Sequence, residues 1–301
     1  MYAKKQALRP FNYNRRVWKL VLLSMNNYTK KFDLILAIPL LLYIAVIIGL
    51  ILSAVVKITP DTVLSVFNNS AIWNSAVRSF VTSIISSFLA ILVAVPAGYI
   101  LSRRRFFMSN FFDSIIDLPI VMPPLVIGLC ILLFFSSTDI GRFLDRGLVQ
   151  WIAELTGQKA NSSGLFIFNV GGIIAVQFVV GCAFAVRVIK SGFDELDARF
   201  EDVAMTLGAT PLKTFLKVSL PNTMPAIIAA AVITWARIFG LFGPIQLLCG
   251  TMRFKTEILP TTIYLEYSIG NLNGALVVGV FMILTSIITL TIFKKIGGKT
   301  L

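Results

Sequence analysis

A polar segment separates two long apolar runs of this chain, and its residue types suit docking against another surface. Residues 201–225 read EDVAMTLGATPLKTFLKVSLPNTMP. If 196–207 is a helix, its apolar side chains share one face and its carboxylates lie on the other. The apolar set is Leu196, Phe200, Val203, Ala204 and Leu207, and the acidic set is Asp197, Glu201 and Asp202. The chain contains no His, the commonest general base, so the sequence favours non-covalent docking over catalysis.

The second half of this segment predicts a turn and another helix. Gly208 tolerates the left-handed backbone of a helix end, and Pro211 suits the first position of a helix over 211–218. Leu220-Pro221 is then expected to end that helix and to begin the next apolar run. On periodicity alone this helix–turn–helix has two interpretations. It is either a docking surface that projects into the cytoplasm or an amphipathic hairpin that lies on the membrane.

The composition is that of a membrane protein. Of the 301 residues, 57% are hydrophobic and 14% are charged, whereas a soluble domain averages about 25% charged residues. Six apolar runs reach or approach the roughly 20 residues that cross a bilayer as helix, and none alternates with the period of a membrane strand. We therefore predict an all-α polytopic membrane protein with about six transmembrane helices, near 34–56, 76–101, 114–136, 170–190, 223–249 and 272–293.

The net charge of +13 follows this predicted topology. Nineteen of the 27 Lys and Arg residues precede the first run, follow the second, surround the fourth connection or end the chain. The positive-inside rule puts both termini and the loop 191–222 in the cytoplasm, so the basic charge needs no nucleic acid to explain it. The predicted domains are a basic cytoplasmic segment, 1–32, and a transmembrane domain, 33–301. Within the first, residues 17–22 predict either a helix in the membrane interface or part of a disordered basic tail.

The candidate pore residues are polar or helix-breaking groups at membrane depth. Arg237, Gln246 and Gln177 lie within predicted spans, and each either lines a solute path or makes a structural contact. Met122 and Pro123 break the third span, where irregular backbone predicts either a gate or packing against protein. No Asp or Glu lies deep in any predicted span, which disfavours coupling to an ion gradient. The three Cys residues lack metal-ligand spacing, and we expect neither a metal site nor a catalytic site.

The docking segment resembles the EAA motif of permeases from binding-protein-dependent ABC importers, E-A-A-x3-G-x9-I-x-L-P. Here 202–204 is followed by three residues and Gly208, and nine more lead to Val-Ser-Leu-Pro at 218–221. Asp202 and Val203 replace the first Glu and Ala of the motif. In that family the segment is the coupling helix, which docks on a separate ATPase. The resemblance implies that the ATPase-coupling residues are Glu201, Asp202, Val203, Ala204, Gly208, Ala209, Leu220 and Pro221.

The same resemblance implies a set of partners. A cytoplasmic ABC ATPase dimer would hold ATP and Mg, and an extracytoplasmic substrate-binding protein would deliver solute to the outside loops 137–169 and 250–270. A second copy of this chain would complete the solute path within the membrane lipid. The chain itself would be no enzyme and would hold no cofactor. The implied location is the cytoplasmic (inner) membrane of a bacterium or archaeon.

Further segments are similar to the molybdate, tungstate and sulfate permeases of type I ABC importers. They are DLPIVMPPLVIG at 117–128, WARIFGLFG at 235–243, LPTTIY at 259–264 and GNLNGA at 270–275. Leu241 occupies the position where those permeases carry the Glu of Gly-Glu-Phe-Gly, so the cargo is open. The sequence predicts a type I ABC importer permease with a small oxyanion as the first expected substrate. The alternatives are an ABC permease for another small solute, a secondary transporter, and a membrane-embedded enzyme or scaffold.

Overall fold

A computed structural model describes residues 15–104, 108–147, 149–151, 154 and 164–297. In these parts of the chain the regular secondary structure is helical throughout. Two short stretches, Phe143–Gly147 and Phe215–Ser219, have the wider hydrogen-bond register of a π-helix. The α-helices are α1 Arg15–Val56, α2 Pro60–Phe67, α3 Ser70–Arg103, α4 Ser109–Val121, α5 Pro124–Ser137, α6 Asp139–Arg142, α7 Val170–Glu195, α8 Arg199–Thr206, α9 Pro211–Thr214, α10 Leu220–Phe239, α11 Gly243–Cys249, α12 Leu259–Ser268 and α13 Leu272–Gly297.

Five helical segments of the described chain are long and apolar enough to cross a membrane. They are Leu36–Val56, Ser70–Arg103, Val170–Glu195, Pro211–Phe239 and Leu272–Thr291. The pair α4 and α5 forms a sixth if its two bent halves count as one span. The predicted all-α fold with about six transmembrane helices is therefore confirmed.

The chain divides into two compact units, residues 1–56 and 57–301. In the first, α1 is one helix of 42 residues, and it contains the segment 17–22 for which the sequence predicts an interfacial helix or a tail. From Leu36 onward its large apolar side chains other than the half-buried Ile51 are exposed, as expected of a helix surrounded by lipid. Residues 1–14 lie outside the described part of the chain, and the boundary at 32/33 stays a prediction.

The second unit is built around α3, α7 and α10. Asn caps begin two of these helices: the Asn69 side chain accepts a hydrogen bond from the Ala71 amide, and Asn169 accepts one from Val170. Small residues then let the backbones approach closely. At Gly192 of α7, for example, an added β-carbon would clash with the Ala226 β-carbon of α10. One core cluster of these helices, at the end near the 196–221 loop, comprises Ala90, Ala94, Ala185, Val186, Ile189, Phe193, Ile227 and Ala230.

Two predicted spans differ in detail from the helices observed. The run 114–136 is divided at Met122 and Pro123, where α4 and α5 meet at 110°, which confirms the predicted break in the third span. The run 223–249 was expected to be one helix, but α10 ends at Phe239 and Gly240 caps it. A separate helix, α11, then begins at Gly243 with a proline in its first turn.

The expected helix end at Leu220-Pro221 was wrong. The helix runs from Pro211 to Phe239 without a stop, and the π-turn 215–219 lies immediately before Leu220. Because the π-turn changes the hydrogen-bond register there, Pro221 falls at the start of α10, where its missing N–H is not needed.

Candidate functional site: the 196–221 loop and the polar residues of the predicted spans

The loop between α7 and α10 contains the short helix α8, which is shorter than its sequence predicts. Leu196 does not join it, because its amide bonds to the Phe193 carbonyl and closes α7. An Asp197 carboxylate oxygen accepts a hydrogen bond from the Arg199 amide at 3.0 Å and turns the chain into α8. Glu201 and Asp202 lie in its first turn, where negative charge is favourable to the helix dipole.

Gly208 ends α8 in a Schellman motif. The Ala209 amide donates to the Ala204 carbonyl, and the Gly208 amide donates to the Met205 carbonyl, both at 3.0 Å. Gly208 has φ of +88°, a left-handed backbone that L side chains rarely adopt. No atom lies within 4 Å of the place where a β-carbon would be, so backbone conformation alone selects glycine here.

The second arm of the loop begins at Thr210. Its hydroxyl accepts a hydrogen bond from the Lys213 amide at 3.4 Å, and Pro211 occupies the first helical position. The helix over 211–218 is thus confirmed as α9 followed by the π-turn. The loop is a pair of short helices, each with a hydrogen-bonded cap.

Large apolar side chains are exposed on this helix pair, beside the exposed charges of Asp202 and Lys213, and we call the apolar set the docking face. Its large side chains expose half or more of their area, and no described residue covers them. They are Phe200, Val203, Leu207, Leu212 and Leu216. Leu207 is 83% exposed, directly before the Gly208 turn. An apolar patch of this kind at a polar surface marks a site of interaction.

Glu201 is not part of the docking face, although the sequence places it on the polar side of the helix with Asp202. Its side chain points inward and the residue is only 6% exposed. Its carboxylate accepts hydrogen bonds from Arg103 Nε at 2.9 Å, Ser219 Oγ at 2.8 Å and Tyr99 Oη at 3.0 Å. Asp202, by contrast, is exposed.

The Glu201 carboxylate is held in its charged form. Desolvation by burial acts to raise its pKa, but the hydrogen bonds from Arg103, Ser219 and Tyr99 outweigh burial. The pKa of Glu201 therefore lies below its usual value. Arg103 in turn donates a second hydrogen bond to the Leu196 carbonyl at 2.9 Å, at the end of α7.

Gln177 is a structural contact rather than an exposed pore residue in this unit. It is 1% exposed and lies between three helices. Its amide nitrogen donates to the Ile238 carbonyl of α10 at 3.3 Å, and its oxygen accepts from Ser86 of α3 at 3.2 Å. A polar group at this depth is thereby satisfied by protein.

Arg237 lies at a similar depth but is exposed. Its neighbour Ile238 accepts a hydrogen bond from Gln177, the eighth of the 26 residues of α7. The Arg237 guanidinium carbon is 5.1 Å from the centroid of the Phe184 ring, a cation–π contact. In the described part of the chain no carboxylate forms an ion pair with it.

The other pore candidates fall into the packed region around α5 and α11. Met122 is half-buried against an apolar cluster, and Pro123 is exposed at the bend. The side-chain oxygen of Gln246 is buried and has no hydrogen-bond partner within the described residues. Leu241 is 8% exposed and belongs to the same cluster, so the position of the family glutamate is part of an apolar core here.

Sequence reasoning missed an ordered segment at the opposite end of the unit, 250–258. Arg78 of α3 donates to the Glu257 carbonyl at 2.9 Å and to the Phe254 carbonyl at 2.8 Å. The hydroxyl of Ser79 accepts from the Leu259 amide at 2.7 Å. The Glu257 side chain is 1% exposed, and burial raises its pKa. No local sequence pattern marks these contacts, because the partners are about 180 residues apart.

Two ion pairs that join α4 to α7 were also missed. Arg187 bonds to Asp117 at 2.9 Å and Lys190 to Asp113 at 2.5 Å. Both acids precede the bend at Met122, so the first half of this broken span, α4, is held against α7. Among the described residues, no group of three or more His, Cys, Asp or Glu could hold a metal ion.

Comparison with known proteins identifies the type of chain. Residues 91–299 match the family model of the binding-protein-dependent transport system inner membrane component. The molybdate/tungstate transport system permease protein WtpB of Pyrococcus furiosus is 36% identical over 168 residues, which are 56% of this chain and 57% of that protein. The sulfate transport system permease protein CysT of Salmonella typhimurium is 31% identical over 188 residues, 62% of this chain and 61% of that one. The matches thus span little more than half the length of these relatives.

Solved structures show the same fold. A bacterial ABC transporter involved in the import of alginate contains a chain that superposes with a TM-score of 0.65 at 18% identity, over 94% of this chain and 99% of its own length. The MetNI methionine ABC transporter, in inward-facing conformations, contains one with a TM-score of 0.54 at 15% identity, over 76% of this chain and 96% of its own. The predicted fold of an ABC importer permease is confirmed.

Proposed function

Because this chain belongs to the family of binding-protein-dependent transport system inner membrane components, we propose that it is the membrane-spanning permease subunit of an ABC importer. It forms the solute path and does not hydrolyse ATP. ATP and Mg are held by a separate cytoplasmic ABC ATPase dimer. The protein is a multi-pass component of the cytoplasmic (inner) membrane of a bacterium or archaeon, with both termini on the cytoplasmic side.

The docking face carries this proposal. A linker between two membrane helices needs neither a Schellman cap nor a proline-initiated second helix, yet this loop has both. Its exposed Phe200, Leu207 and Leu212 would fill an apolar groove on the ATPase. Because the helix that begins at Pro211 continues to Phe239, displacement of the loop moves a membrane helix directly. That is how closure of an ATPase dimer would switch the permease between inward- and outward-facing arrangements.

The proposed substrate is a small oxyanion, with molybdate, tungstate or sulfate first. The relatives named for those transport systems support this choice. Arg237 is exposed, has no carboxylate partner among the described residues and lies over Phe184 of α7, which suits the passage of an anion between two copies of the chain. A substrate-binding protein delivers the oxyanion to the outside loops, and the segment 250–258 supports one of them.

The partner proposal is tested by charging the docking face. Leu207→Asp and Leu212→Asp should abolish co-purification of the ATPase with the tagged permease, because each buries a carboxylate in an apolar interface. Leu272→Asp is the matched control: Leu272 is 53% exposed but lies at the start of α13, on the predicted outside. Retention of the ATPase by both cytoplasmic variants would refute the docking face.

The substrate proposal is tested by calorimetry on the binding protein encoded beside this chain. We expect tight binding of one of molybdate, tungstate and sulfate, with phosphate as the comparison anion. Binding of none of them would contradict the oxyanion assignment and leave the permease assignment intact.

A further inference from the structure

The cytoplasmic ends of four elements meet at the carboxylate of Glu201. Tyr99 and Arg103 belong to the end of α3, and Ser219 is the last residue of the π-turn that leads into α10. Arg103 also binds the carbonyl of Leu196, which closes α7. We call these four side chains, Tyr99, Arg103, Glu201 and Ser219, the Glu201 node.

The Glu201 node is buried, and its carboxylate is fully hydrogen-bonded. The side chains of Arg103 and Glu201 are 12% and 9% exposed, and Ser219 is fully buried. Three donors converge on one carboxylate, so both of its oxygens are bonded. A buried charge with three donors is strongly held, and removing it leaves the donors without a partner.

The π-turn 215–219 is a point at which the helix between the docking loop and the membrane could bend. A π-turn inside a longer helix is a point of changed hydrogen-bond register, and such turns recur at functional sites. Here it separates the docking arm, Pro211–Thr214, from the membrane helix α10. Without a brace, force applied to the docking face could flex the helix at the π-turn instead of moving α10.

From these contacts we infer that Glu201 is a positioning residue that locks α8 to α3, to the end of α7 and to the π-turn, so that the docking loop and the membrane helices move as one body. The inference rests on the proposed function. It assigns to Glu201 a role inside the permease, distinct from contact with the ATPase, which the exposed Asp202 and the docking face can make. The charge of Glu201, rather than its size, is what the node requires.

A first experiment needs no partner protein. Amide hydrogen exchange is measured on the purified chain for the wild type, Glu201→Gln and the matched control Asp202→Asn. Glu201→Gln should raise exchange together in α8, in the π-turn and at the cytoplasmic end of α3, by about tenfold or more for the loss of hydrogen bonds to a charged group. Asp202→Asn removes a charge only from the first turn of α8 and should leave exchange in the π-turn and at the end of α3 unchanged. Faster exchange confined to α8, or none, would overturn the inference.

A second experiment tests transmission in the complex with its ATPase and binding protein, reconstituted in vesicles and supplied with molybdate, tungstate or sulfate. Glu201→Gln should retain the ATPase but import about tenfold less oxyanion per ATP hydrolysed. Wild-type coupling in Glu201→Gln would overturn the inference. If that variant fails to fold, Tyr99→Phe and Ser219→Ala each remove one donor, and each should give a smaller loss of oxyanion imported per ATP hydrolysed. No loss in either variant would also overturn the inference.

These outcomes separate the inference from the proposed function. A wild-type complex that shows no ATP-dependent uptake would contradict the proposed function, whereas the exchange experiment would still decide whether the node locks the loop. Arg103→Gln provides a further check. Combined with Glu201→Gln, it should add little to either single loss, because the two residues form one unit.

Discussion

Glu201 and Asp202 are adjacent carboxylates, about 100° apart around one helix, with different environments: the first is buried against Arg103 and Ser219, and the second is exposed. Both lie in the first turn of α8, and both were expected on the same polar side. The pair divides the loop into an inner surface that binds the permease itself and an outer surface that is free to bind a partner.

The pH dependence of stability should reveal the buried member of this pair. The pKa of Glu201 is lowered in the fold, so its contribution to the free energy of unfolding is present above the usual Glu pKa of about 4.3 and is lost as the pH falls through the lowered value. Glu201→Gln should therefore lose stability at neutral pH and show a flatter stability curve in that acidic window. Thermal unfolding in detergent against pH measures this, with Asp202→Asn as control. Parallel curves for Glu201→Gln and the wild type would contradict the burial of a charged carboxylate.

The contribution of Glu257 to stability should depend on pH with the opposite sign. Burial raises the pKa of Glu257, so the folded state holds its proton above the pH at which the unfolded chain releases it. Stability contributed by this group falls as the pH rises from the usual Glu pKa towards the raised value. Glu257→Gln should remove that decline and melt at a higher temperature than the wild type at the upper end of the window. Arg78, Arg253 and Glu266 act on this carboxyl as well, so the variant is made with all three intact.

Gly208→Ala should destabilise the docking loop through backbone strain alone. A side chain at φ of +88° costs about 1–2 kcal/mol, and no neighbour obstructs a β-carbon there. Gly208→Asn should be better tolerated, because Asn visits the left-handed region more readily. Gly240→Ala is the control, since Gly240 caps α10 with φ of −87°. Uptake per ATP should fall in the order wild type, Asn, Ala; equal uptake in all three would contradict a requirement for this turn.

Arg237 should affect transport without affecting assembly. Its described contact is the cation–π contact with Phe184, so Arg237→Met removes a positive charge from beside α7 and breaks no ion pair among the described residues. Oxyanion uptake should fall markedly while co-purification of the ATPase is unchanged, and Arg237→Lys should retain more uptake than Arg237→Met. Unchanged uptake in Arg237→Met would show that the residue does not line the anion path.

The sequence predicted the features that depend on local pattern. Long apolar runs predicted the spans, and Pro123 and its neighbours predicted the bend between α4 and α5. Gly208 and Pro211 predicted the turn of the docking loop. The features it missed depend on distant partners. Glu201 is buried because Arg103, which is 98 residues away in the sequence, pairs with its carboxylate. Pro221 does not end a helix because the π-turn before it changes the hydrogen-bond register. Gln177 is buried because Ser86 and the Ile238 carbonyl satisfy it.

The most direct test of the central claim is uptake of radiolabelled molybdate, tungstate and sulfate by vesicles that contain this chain, its ATPase and its binding protein. We expect uptake of one oxyanion that requires ATP inside, the binding protein outside and an intact docking face. Leu207→Asp should abolish this uptake. Equal uptake by vesicles that lack the ATPase, driven by an imposed proton or sodium gradient, would show that the chain is a secondary transporter and would contradict the account.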